Sequence, residues 1–241
     1  LNMNKTGKIN IAEIYSRFGI FIILLVTFII SAIISPAFLS ATNVINVIRQ
    51  NVTIGIVACG AQLVLLCGDV DLSSGSIAAF AGCFAAMVQV ATGNLFLALL
   101  TGIIIGALLG FINGIIITGC EIPSFIMTLA TQQAARGAIL AITKAKPIPG
   151  LDDFTWFGQG YIGPIPVPII IWIIVLVITG FILNKMRFGR YVYAVGGNQV
   201  AAQASGIKVK NIVAKCFTFS GLMASLGGDV LMARVNSGQP N

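Results

Sequence analysis

The 241-residue chain contains no histidine, and only 9% of its residues are charged. Histidine is the commonest general base and metal ligand, so its absence weighs against a Ser-His hydrolase and against a metalloprotease. Charge at this level lies far below the roughly 25% of a soluble domain. The five cysteines, Cys59, Cys67, Cys83, Cys120 and Cys216, sit in or beside apolar stretches without C-x-x-C spacing. A disulfide framework and a zinc site are therefore poor readings, and the thiols read as small core residues. Also missing is G-x-x-x-x-G-K-[ST], the loop whose backbone amides cradle nucleotide phosphates, so no ATP site of that kind is encoded.

What is present is apolar surface: 57% of residues are hydrophobic and the mean hydropathy is +1.00. A net charge of +7 would suit nucleic acid if the basic residues interleaved with exposed aromatics. They cluster instead in the hydrophilic segments that flank apolar runs, which is the distribution expected of a membrane protein that keeps positive loops in the cytoplasm. Lipid is the expected partner; nucleic acid is not.

The first apolar run, residues 18–35, is long enough at about 1.5 Å per residue to cross or nearly cross a hydrocarbon core of roughly 30 Å. It is long for a signal-peptide core and no A-x-A follows it, so an uncleaved span is the better reading. Residues 43–50 carry Val44, Ile45, Val47 and Ile48 on one side and are expected to lie at the outer interface before a second run reaches residue 66. Later runs cover about 76–91, 95–118, 123–142, 166–183 and 212–235. The fold class is thus an all-α membrane protein, a polytopic helical bundle of about seven spans. With Lys5, Lys8 and Arg17 inside, alternation puts residues 144–164 outside and residues 184–210 inside. The outer loop, with Asp152, Asp153, Trp156, Phe157 and Tyr161, suits an outer lip and equally a simple connector. Gly102, Gly106, Gly110 and Gly114 form a small-residue stripe that another helix can approach closely.

Polar groups at membrane depth are costly and mark candidate sites. The junction at residues 68–76, GDVDLSSGS, is either a polar surface turn or a broken helix whose backbone borders a pathway, with Asp71 or Ser73 able to cap the next helix. Its candidate residues are Asp71, Ser73, Gly75 and Ser76. Arg136 and Asp229 are intramembrane charges; Arg136 is expected to pair with Asp69, Asp71 or Asp229. For Asp229, a salt-bridged structural role and a sugar-hydroxyl ligand both stay open. Residues 184–210 carry five Lys or Arg and no acid. Within them Asn198 can cap a two-turn helix over residues 199–205, and Gly206 falls where a left-handed C-terminal cap is wanted.

Phe188-Gly189-Arg190, then Ala194, Gly196-Gly197-Asn198, Ala201-Ala202 and Ser205-Gly206-Ile207, resemble the FGR and A-x-G-G-N-x-x-A-A-x-x-S-G-I elements of ribose/xylose/galactose-type ABC sugar permeases. They also fit the looser E-A-A-x-x-x-G pattern of ABC permeases, with Val200 where many carry glutamate. The junction resembles that family's G-[IV]-D-L-S-x-G-S at Val70, Asp71, Leu72, Ser73, Gly75 and Ser76. Residues 123–129 resemble P-x-F-I-x-T-L, and Arg136-Gly137 its RG. Asp69 departs where the family usually has glycine, and Asp229 where it is apolar. The resemblance covers residues 36–240.

It implies the inner-membrane permease component of a bacterial binding-protein-dependent transport system, multi-pass with a cytoplasmic N-terminus. The implied partners are ABC ATPase subunits, a second permease copy or paralogue and a soluble sugar-binding protein. The cargo would be ribose or a related pentose or hexose. No cofactor and no covalent chemistry are expected in this subunit, since ATP would be hydrolysed by another. The residues of the implied coupling helix are Asn198, Ala201, Ala202, Ser205 and Gly206, within a cytoplasmic coupling loop at 184–211. Because family members continue for several more spans and this chain begins with leucine, residues 1–241 are read as one permease domain lacking C-terminal spans. An ion- or proton-coupled secondary transporter titrating Asp69, Asp71 or Asp229 is the alternative, and ATP dependence separates the two. An intramembrane enzyme ranks third, because no nucleophile has a visible base.

Overall fold

The computed structural model describes residues 11–240, with side chains from residue 18 onward. Lys5 and Lys8, used above for orientation, lie outside the described residues. Contacts divide the chain into two compact units, one ending at Ile48 and the other beginning at Arg49.

The first unit holds α1 (Ile11–Ile34), apolar over Phe18–Ile34. Thr27 and Ser31 donate their hydroxyls to Ile23 O and Thr27 O, at 2.9 and 2.8 Å, so each polar group is satisfied inside its own helix. The helix stops ahead of Pro36, which lacks an N–H and biases Ser35 away from helical dihedrals. Phe28 and Phe38 meet edge to face with centroids 5.2 Å apart. Ser40 then accepts the Asn43 N–H at 3.2 Å and starts α2 (Ala41–Leu66). Residues 43–50 are continuous with the rest of α2. No glycine or proline falls between 41 and 54 to break them from the helix that follows.

The second unit continues with α3 (Ser74–Thr92), α4 (Leu95–Cys120) and α5 (Ser124–Thr143). After the short β1 (Ile148–Pro149) come α6 (Thr155–Gln159), the hairpin of β2 (Tyr161–Ile162) and β3 (Ile165–Pro166), and α7 (Val167–Lys185). Next are α8 (Arg187–Gly197), α9 (Gln199–Ala204), α10 (Val209–Val235) and β4 (Ser237–Gly238), which pairs antiparallel with β1. All seven expected runs are helical. Among the described residues, five of the helices, α2, α3, α4, α7 and α10, are long and apolar enough to cross a membrane, and α1 contributes the shorter apolar stretch Phe18–Ile34. α5 falls outside that set, its apolarity interrupted by Thr131-Gln132-Gln133 and Arg136.

α10 is the centre of the unit, and the glycine stripe of α4 is what lets it sit there. A Cβ on Gly102 would meet the Asp229 carboxylate, on Gly106 the Ser225 side chain, on Gly110 the Phe217 carbonyl and on Gly114 the Ala214 backbone. The pairs descend on α10 as they ascend on α4, so the two helices run antiparallel with their backbones in close approach. Along the same face α10 also meets α3, where Gly228 lies against the Ala78 carbonyl.

Residues 144–164 form a packed cap and not a simple connector. Leu151 and Phe154 are fully buried, and Leu151 N–H donates to Asn236 Oδ1 at 3.1 Å. Arg49 donates twice to Gly158 O, at 3.2 and 2.9 Å, and Gln159 donates to Arg234 O at 2.9 Å. Trp156 and Tyr161 stay exposed.

Candidate pathway junction and coupling surface

Beyond Leu66 the chain leaves the helix and does not resume it until Ser74. Gly68, at φ +86°, makes the turn. The stretch that follows lies along the first turns of α5: Val70 N–H donates to Ser124 Oγ and Leu72 N–H to Thr128 Oγ1, both at 3.2 Å. These bonds replace the helical ones the break gives up, and Thr128 is fully buried. The junction is thus irregular backbone between two helices, satisfied in part by α5 side chains, with Val70 and Leu72 exposed.

A chain of polar side chains converges on Asp71. Its Oδ1 accepts the Ser73 N–H at 2.9 Å and the Ser73 hydroxyl at 2.6 Å, while Oδ2 accepts the Ser220 hydroxyl from α10 at 2.6 Å. Ser73 Oγ accepts Asn113 Nδ2 from α4 at 3.0 Å, and Asn113 Oδ1 accepts the Thr131 hydroxyl from α5 at 2.5 Å. Ser73, Asn113 and Ser220 have no solvent exposure. The start of α3 and α10 are thus held directly to one carboxylate, and α4 and α5 join it through Ser73 and Asn113. Neither Asp71 nor Ser73 makes the expected cap on the amides inside α3; their hydrogen-bonding capacity goes to each other and to α10 and α4. Ser76 is buried in the first turn of α3, and Gly75 is exposed with open space before it. Neither contributes a side-chain bond to this network.

Asn113, Thr131 and Ser220 were not singled out in the sequence. The available signal was an isolated amide in an apolar helix and a serine one turn after Cys216. Asn113 and Thr131 also close the polar end of a cavity of about 270 Å³ between α3, α4 and α5.

Arg136 reaches none of the three acids proposed for it; its Nη1 donates to Pro240 O at 3.0 Å. It stands eight residues beyond Thr128 on α5, about 12 Å along the axis from the network. Asp229 is fully buried with neither an ion pair nor a hydrogen bond among the described residues, so the salt-bridged reading fails. Its carboxylate fills the space that Gly102 leaves. Asp69 lines a different cavity, about 790 Å³, with Glu121, Gln199, Gln203 and Lys210. Burial pushes the Asp69 carboxyl pKa up, outweighing a hydrogen bond from Ser124 that lowers it.

The basic segment is more structured than a loop with one short helix. α8 occupies its first half, with Val192 and Val195 fully buried and Arg187, Arg190, Tyr191 and Tyr193 outward. The spacing of Phe188, Val192 and Val195 on one helical face was the sequence signal for it. α9 follows as expected. Asn198 Oδ1 accepts the Ala201 N–H at 2.9 Å. Gly206 N–H donates to Gln203 O at 2.9 Å and Ile207 N–H to Ala202 O at 3.1 Å, the Schellman closure that the Gly206 φ of +83° permits. Ser205 returns its hydroxyl to Ala201 O at 2.9 Å.

One assignment changes. Ala202 does not face outward but lies in an apolar cluster with Val64, Cys67, Val195, Cys216 and Phe217. Ala201 is exposed, and the outward apolar tip is Val200, at 78% exposure. The same cluster holds the end of α2 just ahead of the break and the turn of α10 just ahead of Ser220, with Cys67 Sγ and Cys216 Sγ 3.3 Å apart. α9 is therefore packed onto the elements that position Asp71.

Residues 43–241 match the family model described as branched-chain amino acid transport system / permease component. The chain is 37% identical to the ribose import permease protein RbsC of Haemophilus influenzae, an alignment covering 98% of this chain and 75% of that one. It is 40% identical to the ribose import permease protein of Bacillus subtilis, covering 97% and 73%. It is 36% identical to the L-arabinose transport system permease protein AraH of Escherichia coli, covering 97% and 72%. No solved structure matches. With the apolar helices, the broken α2–α3 junction and these matches together, the chain belongs to this family of multi-pass transport-system permease components.

Proposed function

We propose that the chain is the permease subunit of an ATP-driven importer for a monosaccharide, a pentose such as ribose or a related hexose. The observation that carries the mechanism is the shared apolar cluster: α9, capped at both ends, is seated on the ends of α2 and α10 that hold Asp71 and Ser220. A push on α9 by a closing ATPase dimer would be delivered to the helix break through packed side chains, tipping the bundle between two packed arrangements. The exposed surface for that contact is Val200, Ala201 and Gln203 with the basic face of α8. On this reading α8 and α9 face the cytoplasm. α5, polar for a lipid-facing helix and buried along only Thr128, Ala135 and Ile139, is the element we assign to the pathway wall or to the second permease. ATP hydrolysis belongs to a separate subunit and sugar selection largely to a soluble binding protein.

A coupled secondary carrier would need an acid free to load and unload. Asp71 is occupied by three donors and Asp229 is enclosed between helices, which leaves Asp69, on its cavity, as the acid such a carrier would use. The test is sugar uptake into proteoliposomes holding the full chain with its ATPase and binding protein. Uptake that needs ATP and stops with vanadate supports the importer; uptake without ATP that collapses with an ionophore supports the carrier.

A further inference from the structure

A groove of about 690 Å³ lies between α4, α7 and α10, away from the Asp71 network. Its floor is apolar, formed by Phe111, Ile115, Ile182, Phe219 and Leu222, whereas one end carries Asn211, Lys210 and Lys215. From Asn211 to Leu222 the lining extends about 16 Å along α10, the depth of one leaflet of a roughly 30 Å hydrocarbon core. Both charged groups in the lining are cationic. Lys210 is shared with Glu121 at 3.7 Å, with both side chains largely exposed, and Lys215 has no acidic partner among the described residues.

We propose that this groove binds one anionic phospholipid, its acyl chain on Ile115, Ile182 and Phe219 and its phosphate held by Lys215 and Asn211. The apolar floor offers nothing to a sugar hydroxyl. A second copy of the chain is a poor occupant, since with 14 basic and 7 acidic residues it would bring more positive charge to two lysines. An anionic headgroup supplies the missing sign, and a chain of one-leaflet length supplies the apolar match.

The purified full chain, exchanged into detergent containing equal phosphatidylglycerol and phosphatidylcholine, would be examined by native mass spectrometry for retained lipid. One phosphatidylglycerol should be retained in preference to phosphatidylcholine. Lys215→Gln should reduce its retention roughly fivefold. Ile115→Trp, which fills the groove from an exposed position, should abolish it, and Lys144→Gln, outside the groove, should leave it unchanged. If Lys215→Gln fails to fold, raising salt on the unaltered chain decides: loss of phosphatidylglycerol at about 1 M salt supports the site, and salt-insensitive retention overturns it. Equal retention of both lipids overturns it too, as does retention unaffected by Ile115→Trp. Formation of a disulfide-linked dimer through Ile115→Cys, in a chain whose other cysteines are replaced, would give the groove to a second copy instead.

Discussion

Ser220 donates its hydroxyl to Asp71 at 2.6 Å across 149 positions of sequence, fastening α10 to the break between α2 and α3. Removing the carboxylate leaves the Ser73 and Ser220 hydroxyls buried without their acceptor, a loss of about 3 kcal/mol; Ser220→Ala should cost about 2. Because the two act on one bond, the double variant should be less destabilised than the sum by about 1 kcal/mol or more. Thermal unfolding in detergent reads the cycle. Asp71→Ala should also lower uptake more than Asp69→Ala, and equal wild-type uptake by both at normal membrane abundance would remove the junction from the mechanism.

Asn113 bridges two hydroxyls, so its loss is felt at both ends. Asn113→Leu, nearly the same size, strands the Thr131 hydroxyl and removes a donor from Ser73; a cost of about 1–3 kcal/mol is expected. Thr131→Val should cost less, because Asn113 keeps its bond to Ser73. A melt showing the reverse order would mean that Asn113 is not the bridge.

How far each feature could be read from the sequence follows the range of the forces behind it. α9 was legible because Asn198 and Gly206 act on amides within a few residues of themselves. The glycine stripe was legible as a groove, but its occupant was not: nothing local says that Gly110 will meet Phe217, since that pairing is fixed by the shapes of two distant helices. The Asp71 network was half visible. The carboxylate announces itself as a charge between two apolar runs, whereas Asn113 is one small amide in a 26-residue apolar helix and Ser220 one of several polar residues in the 27 of α10, with nothing local to set it apart. Arg136 was assigned by sign, to an acid, and the structure satisfied it with a backbone carbonyl instead. Ala202 was misplaced because a helix of under two turns gives too little periodicity to tell its inner face from its outer one.

The stripe yields a paired prediction. Gly110→Ala puts a methyl into the Phe217 carbonyl, backbone that cannot step aside, and should cost about 1–3 kcal/mol. Gly119→Ala, later in the same helix, meets nothing within 4 Å and should be neutral or up to about 1 kcal/mol stabilising. Melting temperatures of the two variants, side by side, test whether close approach to α10 or helix propensity governs α4.

For Asp69 the sign of the pH effect is set by burial. Its folded pKa lies above the ordinary 3.8, so the ionised form is penalised in the fold. Stability is lost as pH rises from 3.8 through the folded value and is regained on acidification across that interval. Asp69→Asn should therefore be more stable than the unaltered chain at pH 7, with the advantage gone once pH falls below 3.8. Unfolding midpoints of the pair across that range check it, and a growing advantage at low pH would contradict it.

The coupling assignment makes its sharpest claim at two adjacent faces of α9. Ala202 is buried against Val64, Cys67 and Cys216, so Ala202→Trp must overpack that cluster and should lower stability by about 1–3 kcal/mol, with uptake lost alongside membrane abundance. Val200 is exposed and touches nothing the fold depends on; Val200→Asp should leave the melt within about 0.5 kcal/mol. If Val200 and Gln203 meet the ATPase, a charge at 200 should nonetheless reduce ATP-driven uptake and weaken subunit association. A photo-crosslinker at position 203 should then yield an ATPase adduct in the co-expressed complex, diminished by Val200→Asp. Uptake unchanged in Val200→Asp, together with no adduct from position 203, would show that α9 braces the end of α2 without touching an ATPase.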